Sequence, residues 1–278
     1  MERLLGLMSI DDRDTRGSKL ASFHLILLLT IAVHQLGNDR PLQAAILLMC
    51  ALAGLDRRFR RGSSGVALIV LLVRHVITFP RVSNHSYLEV VLLTLYCWID
   101  DSRDDEQDLF LQACRWLTAL IFFYTGVQKL WYGQYFNGRY LAYLAAVAPK
   151  TGTAFELLVR PEELARLMGY KREVGSGPFL IDSTFFKLLS NGAWLSEIGL
   201  GVALLFRKLW PLAVACAIFT MLVIEFIARE FIFGVLMVSM LFLFTKRDFN
   251  RRLLPGYVLF LAYLAAVKLG WVPLLHWV

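Results

Sequence analysis

Charge is scarce in this chain. Of its 278 residues only 18% are Asp, Glu, Lys or Arg, against roughly 25% in an ordinary soluble domain. The shortfall is filled by apolar side chains: 58% of residues are hydrophobic and the mean hydropathy is +0.58. These apolar residues recur in long runs along the whole length, which excludes a soluble globular domain. Cysteine is scarce too. Cys50, Cys97, Cys114 and Cys216 form no CxxC pair. That excludes a quinone-coupled dithiol oxidoreductase, which needs two thiols in exchange reach. All four lie in apolar surroundings and read as small buried hydrophobes. There is no Gly-rich phosphate loop, no GxSxG elbow and no HExxH pair, so the corresponding phosphate, serine-hydrolase and zincin chemistries are set aside. The five histidines are scattered, and no metal is expected. No internal repeat is visible, so the inverted-repeat signature of many transporters is missing. No cleavable signal peptide is expected, because the first apolar run is long enough to stay as an anchor. The net charge of +7 sits in short basic clusters between apolar runs. This is a topology pattern rather than a nucleic-acid groove.

What the chain has is a series of nine apolar segments. They cover roughly 18–36, 42–55, 65–79, 87–99, 109–132, 184–206, 209–229, 231–245 and 253–277. A helix crossing ~30 Å of hydrocarbon needs about 20 residues, so the second, third, fourth and eighth are short. The expected fold is an all-α polytopic transmembrane bundle of about nine segments, one domain over residues 1–278. Arg57, Arg58, Arg60 and Arg61 follow the second segment. Arg207 and Lys208 follow the sixth, and Lys246, Arg247, Arg251 and Arg252 follow the eighth. Nine crossings put these clusters and the N-terminus on one side, with Arg40, Arg81 and Arg229 in the opposite loops. The N-terminus is therefore expected inside and the C-terminus outside. The long loop 133–183 falls outside as a structured cap. Within it, Pro161-Glu162-Glu163 reads as a helix start and Gly175-Ser176-Gly177-Pro178 as a turn. The stretch Arg139 to Ala148 is apolar and suits an interface.

Ionisable residues in hydrocarbon cost at least ~2.5–3.5 kcal/mol each, so they face one another or a wet cavity. The segment count places His34, Arg74, His75, His85, Glu89, Lys129 and Glu225 in the outer halves of their segments. His24, Arg115 and Glu197 fall in the inner halves. The clustering points to one polar cavity opening outward. Lys129 stands out because Phe122, Phe123, Tyr124, Leu130 and Trp131 surround it in sequence. Such surroundings disfavour the ammonium and suit the amine to general-base work. The same position also suits an interfacial anchor beside Trp131 and Tyr132. His85 reads either as a site residue or as a loop histidine at a helix mouth.

Two short motifs narrow these options. Asn84-His85-Ser86-Tyr87-Leu88 is followed about forty residues later by Tyr124-Thr125-Gly126-Val127-Gln128-Lys129-Leu130. Together they resemble the membrane core of the vitamin K-dependent gamma-carboxylase family, part of the wider horizontally transferred transmembrane domain group. The stretch Ser190 to Phe206, with Glu197 ahead of a Gly-rich apolar run, is similar to a later family helix. Gln128 departs from the pattern, since the family has a second lysine there. Because the chain ends at Val278, the resemblance is expected to cover the membrane core without the lumenal substrate-binding domain.

The resemblance implies a chemistry. The lysine matching Lys129 removes a proton from a vitamin K-type hydroquinone (menaquinol or phylloquinol). Oxygen then converts the anion to an epoxide through a strong alkoxide base, which deprotonates a peptide glutamate for addition of carbon dioxide. Asn84 and His85 are the implied polar partners. Tyr87, Tyr124, Trp131, Glu225 and His75 are the candidate quinone-binding residues. Expected partners are the lipid bilayer, the lipophilic quinone and a peptide substrate or extracytoplasmic subunit, with no nucleic acid. The expected location is a bacterial inner membrane with the site facing outward. The alternative is a non-enzymatic quinone- or lipid-binding subunit that assists maturation of a secreted peptide.

Overall fold

The computed structural model describes residues 13–36, 40–80, 84–133, 135–147, 159–169, 179–228 and 230–273, excepting the side chains of 13–15, 84, 147 and 226–228. The described residues are all-helical, with no strand among them. Eleven α-helices follow in order: α1 Arg13–Leu36, α2 Pro41–Ala53, α3 Arg57–Thr78, α4 Asn84–Trp98, α5 Asp104–Tyr132, α6 Arg139–Val147, α7 Pro161–Met168, α8 Thr184–Ala203, α9 Trp210–Ala228, α10 Phe231–Leu241 and α11 Phe249–Lys268. Each of the nine apolar segments overlaps a helix. Four stretches are long and apolar enough to cross a membrane: Arg16–Leu36, Arg57–Thr78, Asp104–Tyr132 and Arg207–Glu225. Helices α2 and α10 are apolar but shorter. The turn expected at 175–178, together with Arg81 and Arg229, lies outside the described residues.

One boundary differs from expectation. The basic cluster after α2 is not loop; it forms the first turns of α3. Asp56 caps that helix by accepting from the Arg58 amide at 2.9 Å. Four arginines beside the positive helix end are electrostatically unfavourable. Asp101 offsets this, pairing with Arg60 at 2.7 Å and Arg57 at 3.3 Å. Arginine is also a good helix former, so α3 reaches 22 residues where its apolar stretch alone falls short.

The chain forms two compact units. The first comprises the described residues of Met1–Trp116 and Ile232–Leu274. Its centre is α1, where Leu20, Phe23, Ile26, Leu27, Leu28 and Ile31 are fully buried; α2, α3 and α11 pack against it. Polar groups there are joined to helix ends. Lys19 Nζ donates to the Thr245 carbonyl at 2.6 Å, and Arg115 Nε donates to that of Leu243 at 2.9 Å. These carbonyls end the 3-10 turn Phe242–Phe244, where intrahelical partners run out. Asp248 caps α11 through the Arg251 amide at 2.9 Å and also accepts from the Ser22 hydroxyl at 3.0 Å. His24 Nε2 pairs with the Ser64 hydroxyl at 2.8 Å. Its ring leaves no room for a side chain at Gly54, where a Cβ would lie 2.3 Å from Cε1.

The second unit comprises the described residues of Leu117–Phe231. Helix α5 contributes residues to both units. Helix α7 starts as expected, with Pro161 in its first turn and Glu162 and Glu163 beside its positive end. Leu141, Ala142, Ala145, Leu164, Leu167, Ile181 and Phe186 build a local core under α6 and α7. Of the cysteines, Cys50 and Cys114 are buried, Cys97 is half-buried and Cys216 is exposed on α9. The reading of all four as buried is thereby corrected.

Candidate functional site

The second unit holds its main polar feature where α5 and α8 cross at backbone contact. Glycine permits the approach at both ends. A Cβ on Gly126 would sit 2.8 Å from the Trp194 carbonyl oxygen, and one on Gly201 would sit 2.6 Å from the Phe123 amide nitrogen. At 100° per residue, Thr125, Gly126 and Lys129 share one face of α5, and Ser190, Glu197 and Gly201 share one face of α8. The crossing thus brings Lys129 Nζ onto Glu197 Oε1 in a direct ion pair. The lysine side chain is 22% exposed and the carboxylate 4%. Glu197 Oε2 is buried and receives no hydrogen bond among the described residues. The Thr125 hydroxyl, which neighbours the carboxylate, donates instead to the Ile121 carbonyl at 2.8 Å.

The turn after α5 folds back over this pair. Gly133 and Gly138 take φ of 65° and 68°, a left-handed conformation that other residues rarely adopt. Ser190 Oγ donates to the Tyr135 carbonyl at 2.7 Å, and Asn191 Nδ2 donates to that of Phe136 at 3.0 Å. These bonds from α8 fix the turn. Tyr135 consequently lies with its ring centroid 5.3 Å from Lys129 Nζ, within cation–π range. It stacks on Tyr140 at 5.0 Å. Burial, with Tyr140, Glu197 and Glu230 nearby, pushes the Tyr135 phenol well up, so it stays a neutral hydroxyl at ordinary pH.

The segment count had placed Lys129 and Glu197 at opposite depths. Their contact corrects that: two helices that cross closely share a register that counting from segment ends does not give. It also corrects the picture of Lys129 among purely apolar neighbours, because a carboxylate is its direct partner.

The remaining candidate residues divide by unit. Tyr124 is 66% exposed and Trp131 85%. They stand roughly 140° and 160° around α5 from Lys129 and share none of its surroundings. Glu225 is buried on α9 in the same unit. Asn84 opens α4 in the first unit, and its side chain lies outside the described residues. His85 stacks on Phe233 at 4.4 Å. His75 and Tyr87 meet edge-to-face at 5.2 Å, and His75 Nδ1 donates to the Leu71 carbonyl at 2.8 Å. That unit also pairs His34 Nδ1 with Glu89 Oε1 at 2.8 Å. Among the described residues no group of three His, Cys, Asp or Glu is placed to hold a metal.

Tyr135, Tyr140 and Thr125 were not singled out by sequence. The available signal was Gly133 and Gly138 bracketing Tyr135-Phe136 directly after the Lys129 motif. No family model, no curated protein and no solved structure matches this chain.

Proposed function

We propose that this chain is a multi-pass membrane enzyme that oxygenates a vitamin K-type hydroquinone to an epoxide, with the Lys129–Glu197 pair as its proton acceptor. The observation that supports this reading most is the unengaged Glu197 Oε2, buried beside a lysine under the Tyr135 ring, which stacks in turn on Tyr140. A buried acceptor without a donor is an unsatisfied group, and a phenolic hydroxyl is the donor it suits. The residues present therefore fit a hydroquinone headgroup, with Tyr135 and Tyr140 as its apolar walls. When bound, the hydroquinone supplies an acidic hydroxyl and, with oxygen, the oxidising chemistry.

The chain's own part is to orient and accept. Glu197 Oε2 takes the hydroxyl hydrogen bond, and Lys129 on Oε1 holds the carboxylate in place. The pair starts with one shared proton and ends with two, an ammonium on Lys129 and a carboxylic acid on Glu197, and it returns the second to solvent. The half-exposed turn over the pair limits water. Carbon dioxide addition to a partner-delivered glutamate peptide is the coupled step of the same proposal. We further propose nine crossings with the N-terminus inside, the C-terminus outside and residues 133–183 on the outer side of a bacterial inner membrane.

The closed ion pair supports a second reading. A lysine satisfied by a carboxylate also serves as structural glue, as in a non-enzymatic quinone- or lipid-binding subunit. Purified protein incubated with a reduced vitamin K analogue and oxygen separates the two. The enzymatic reading expects epoxide from wild type and none from Lys129→Ala. Tight quinone binding without epoxide in wild type would favour the subunit.

A further inference from the structure

The first unit contains a polar cluster that the proton step above does not use. Glu89 on α4 is 1% exposed. Its Oε1 accepts from His34 Nδ1 at 2.8 Å, while its Oε2 is buried and takes no hydrogen bond among the described residues. Arg74 on α3 is buried at 7% exposure. It lies in electrostatic range of Glu89, which attracts it, and of Arg40, which repels it. Yet its buried Nη1 donates to no acceptor among the described residues. The two residues thus sit on helices that pack against each other, each with a buried open atom and no hydrogen bond joining them.

Buried polar groups of this kind are normally bridged. The donor inventory narrows the bridge. Glu89 Oε2 needs a donor and Arg74 Nη1 needs an acceptor. A carboxylate or phosphate would meet Glu89 with like charge, and an ammonium would meet Arg74 the same way. A neutral hydroxyl donates to one and accepts from the other through a single oxygen. We propose that Glu89 and Arg74 form a second binding site, which takes a neutral hydroxyl group as the bridge between carboxylate and guanidinium. The hydroxyl is carried either by a small phenol or by water. His34, with 14% of its side chain exposed, fixes the carboxylate through its other oxygen.

The test uses the full chain in detergent with 2-naphthol as probe, whose fluorescence reports hydrogen bonding by its hydroxyl. Its methyl ether, which lacks the donor, is the control. The expected result is that 2-naphthol binds wild type and Lys129→Ala alike, and Glu89→Gln and Arg74→Gln at least tenfold more weakly, while the ether does not compete. The Lys129→Ala arm separates this site from the proposed active site: loss of epoxidation with retained naphthol binding leaves the inference standing. Infrared difference spectra in H2(18)O cover the other source. An isotope-sensitive hydroxyl band in wild type that Glu89→Gln removes, without naphthol binding, identifies the bridge as water. Wild type that shows neither naphthol binding nor such a band overturns the proposal, whether or not the variants fold.

Discussion

Two cations, one buried and one part-buried, are treated in opposite ways in the two units. In the first, Arg115 is 1% exposed and donates into the Leu243 carbonyl at 2.9 Å. In the second, Lys129 meets a carboxylate whose other oxygen is open. A guanidinium on a backbone carbonyl has no proton to give up in the working range. It closes a helix end. An amine on a carboxylate shares a mobile proton, and the open oxygen leaves the pair with a spare acceptor, one donor short. Burial of charge is therefore not by itself a sign of chemistry. The partner decides.

The sharpest way to break this contrast is at Lys129. Lys129→Ala should lower turnover by about 10²–10⁴-fold, the usual contribution of proton transfer by a positioned group. Lys129→Arg should not restore it, because guanidinium keeps its proton. Equal epoxide formation by Lys129→Arg and wild type would reduce Lys129 to a structural cation like Arg115.

Glu197 separates stability from turnover. Glu197→Ala leaves the part-buried Lys129 ammonium without its carboxylate and should cost about 1–3 kcal/mol, read as a fall in melting temperature. Glu197→Gln keeps size and a hydrogen bond to Lys129 but accepts no proton. It should lose turnover with a much smaller thermal shift. If both variants melt like wild type, the pair is not buried as described.

The helix crossing comes next. Gly201→Ala pushes a methyl into the Phe123 backbone and should cost about 1–3 kcal/mol through overpacking. Gly192→Ala, which meets nothing within 4 Å, is its control. Arg115→Met should cost about 2 kcal/mol, the scale of a hydrogen bond to a charged group, with turnover per folded molecule unchanged. A turnover loss in Arg115→Met matching that of Lys129→Ala would erase the distinction between the units.

The smallest effect lies in the turn before α5. The Ser102 hydroxyl and amide, the latter donating at 2.9 Å, hold the Asp100 carboxyl below its usual range. A depressed folded value stabilises the turn at pH above the unfolded value of about 3.9, and this is lost as pH falls through the folded value. Amide exchange at Ser102 should thus quicken at acid pH relative to that at Phe186, whose amide donates to Ser183. No pH difference between the two would remove Asp100 from the account.

Much of the fold was readable in the sequence, for a plain reason. Apolar runs in lipid must be helical to satisfy their own backbone, so nine runs gave helices without further information. The start of α7 was legible from Pro161, Glu162 and Glu163. The length of α3 was not, because its first turns depend on Asp101, which lies far along the chain. Lys129 was singled out by its neighbours in sequence. Its partner was misjudged, because depth was counted along separate helices while Gly126 and Gly201 set where they cross. Tyr135 was missed because its position depends on Ser190 and Asn191 holding a turn from another helix, a link with no local pattern.

The arginines at the start of α3 have a history as well as a structure. Arg60 precedes Asp101 by 41 residues. At roughly 5–20 residues per second of synthesis, the cluster emerges several seconds before its carboxylate exists. During that interval it is a bare block of positive charge, the state in which basic residues direct insertion. Once Asp101 arrives, Arg57 and Arg60 are paired. The same side chains are first without their carboxylate and later clasped by it, and the change from one to the other is timed by chain order alone.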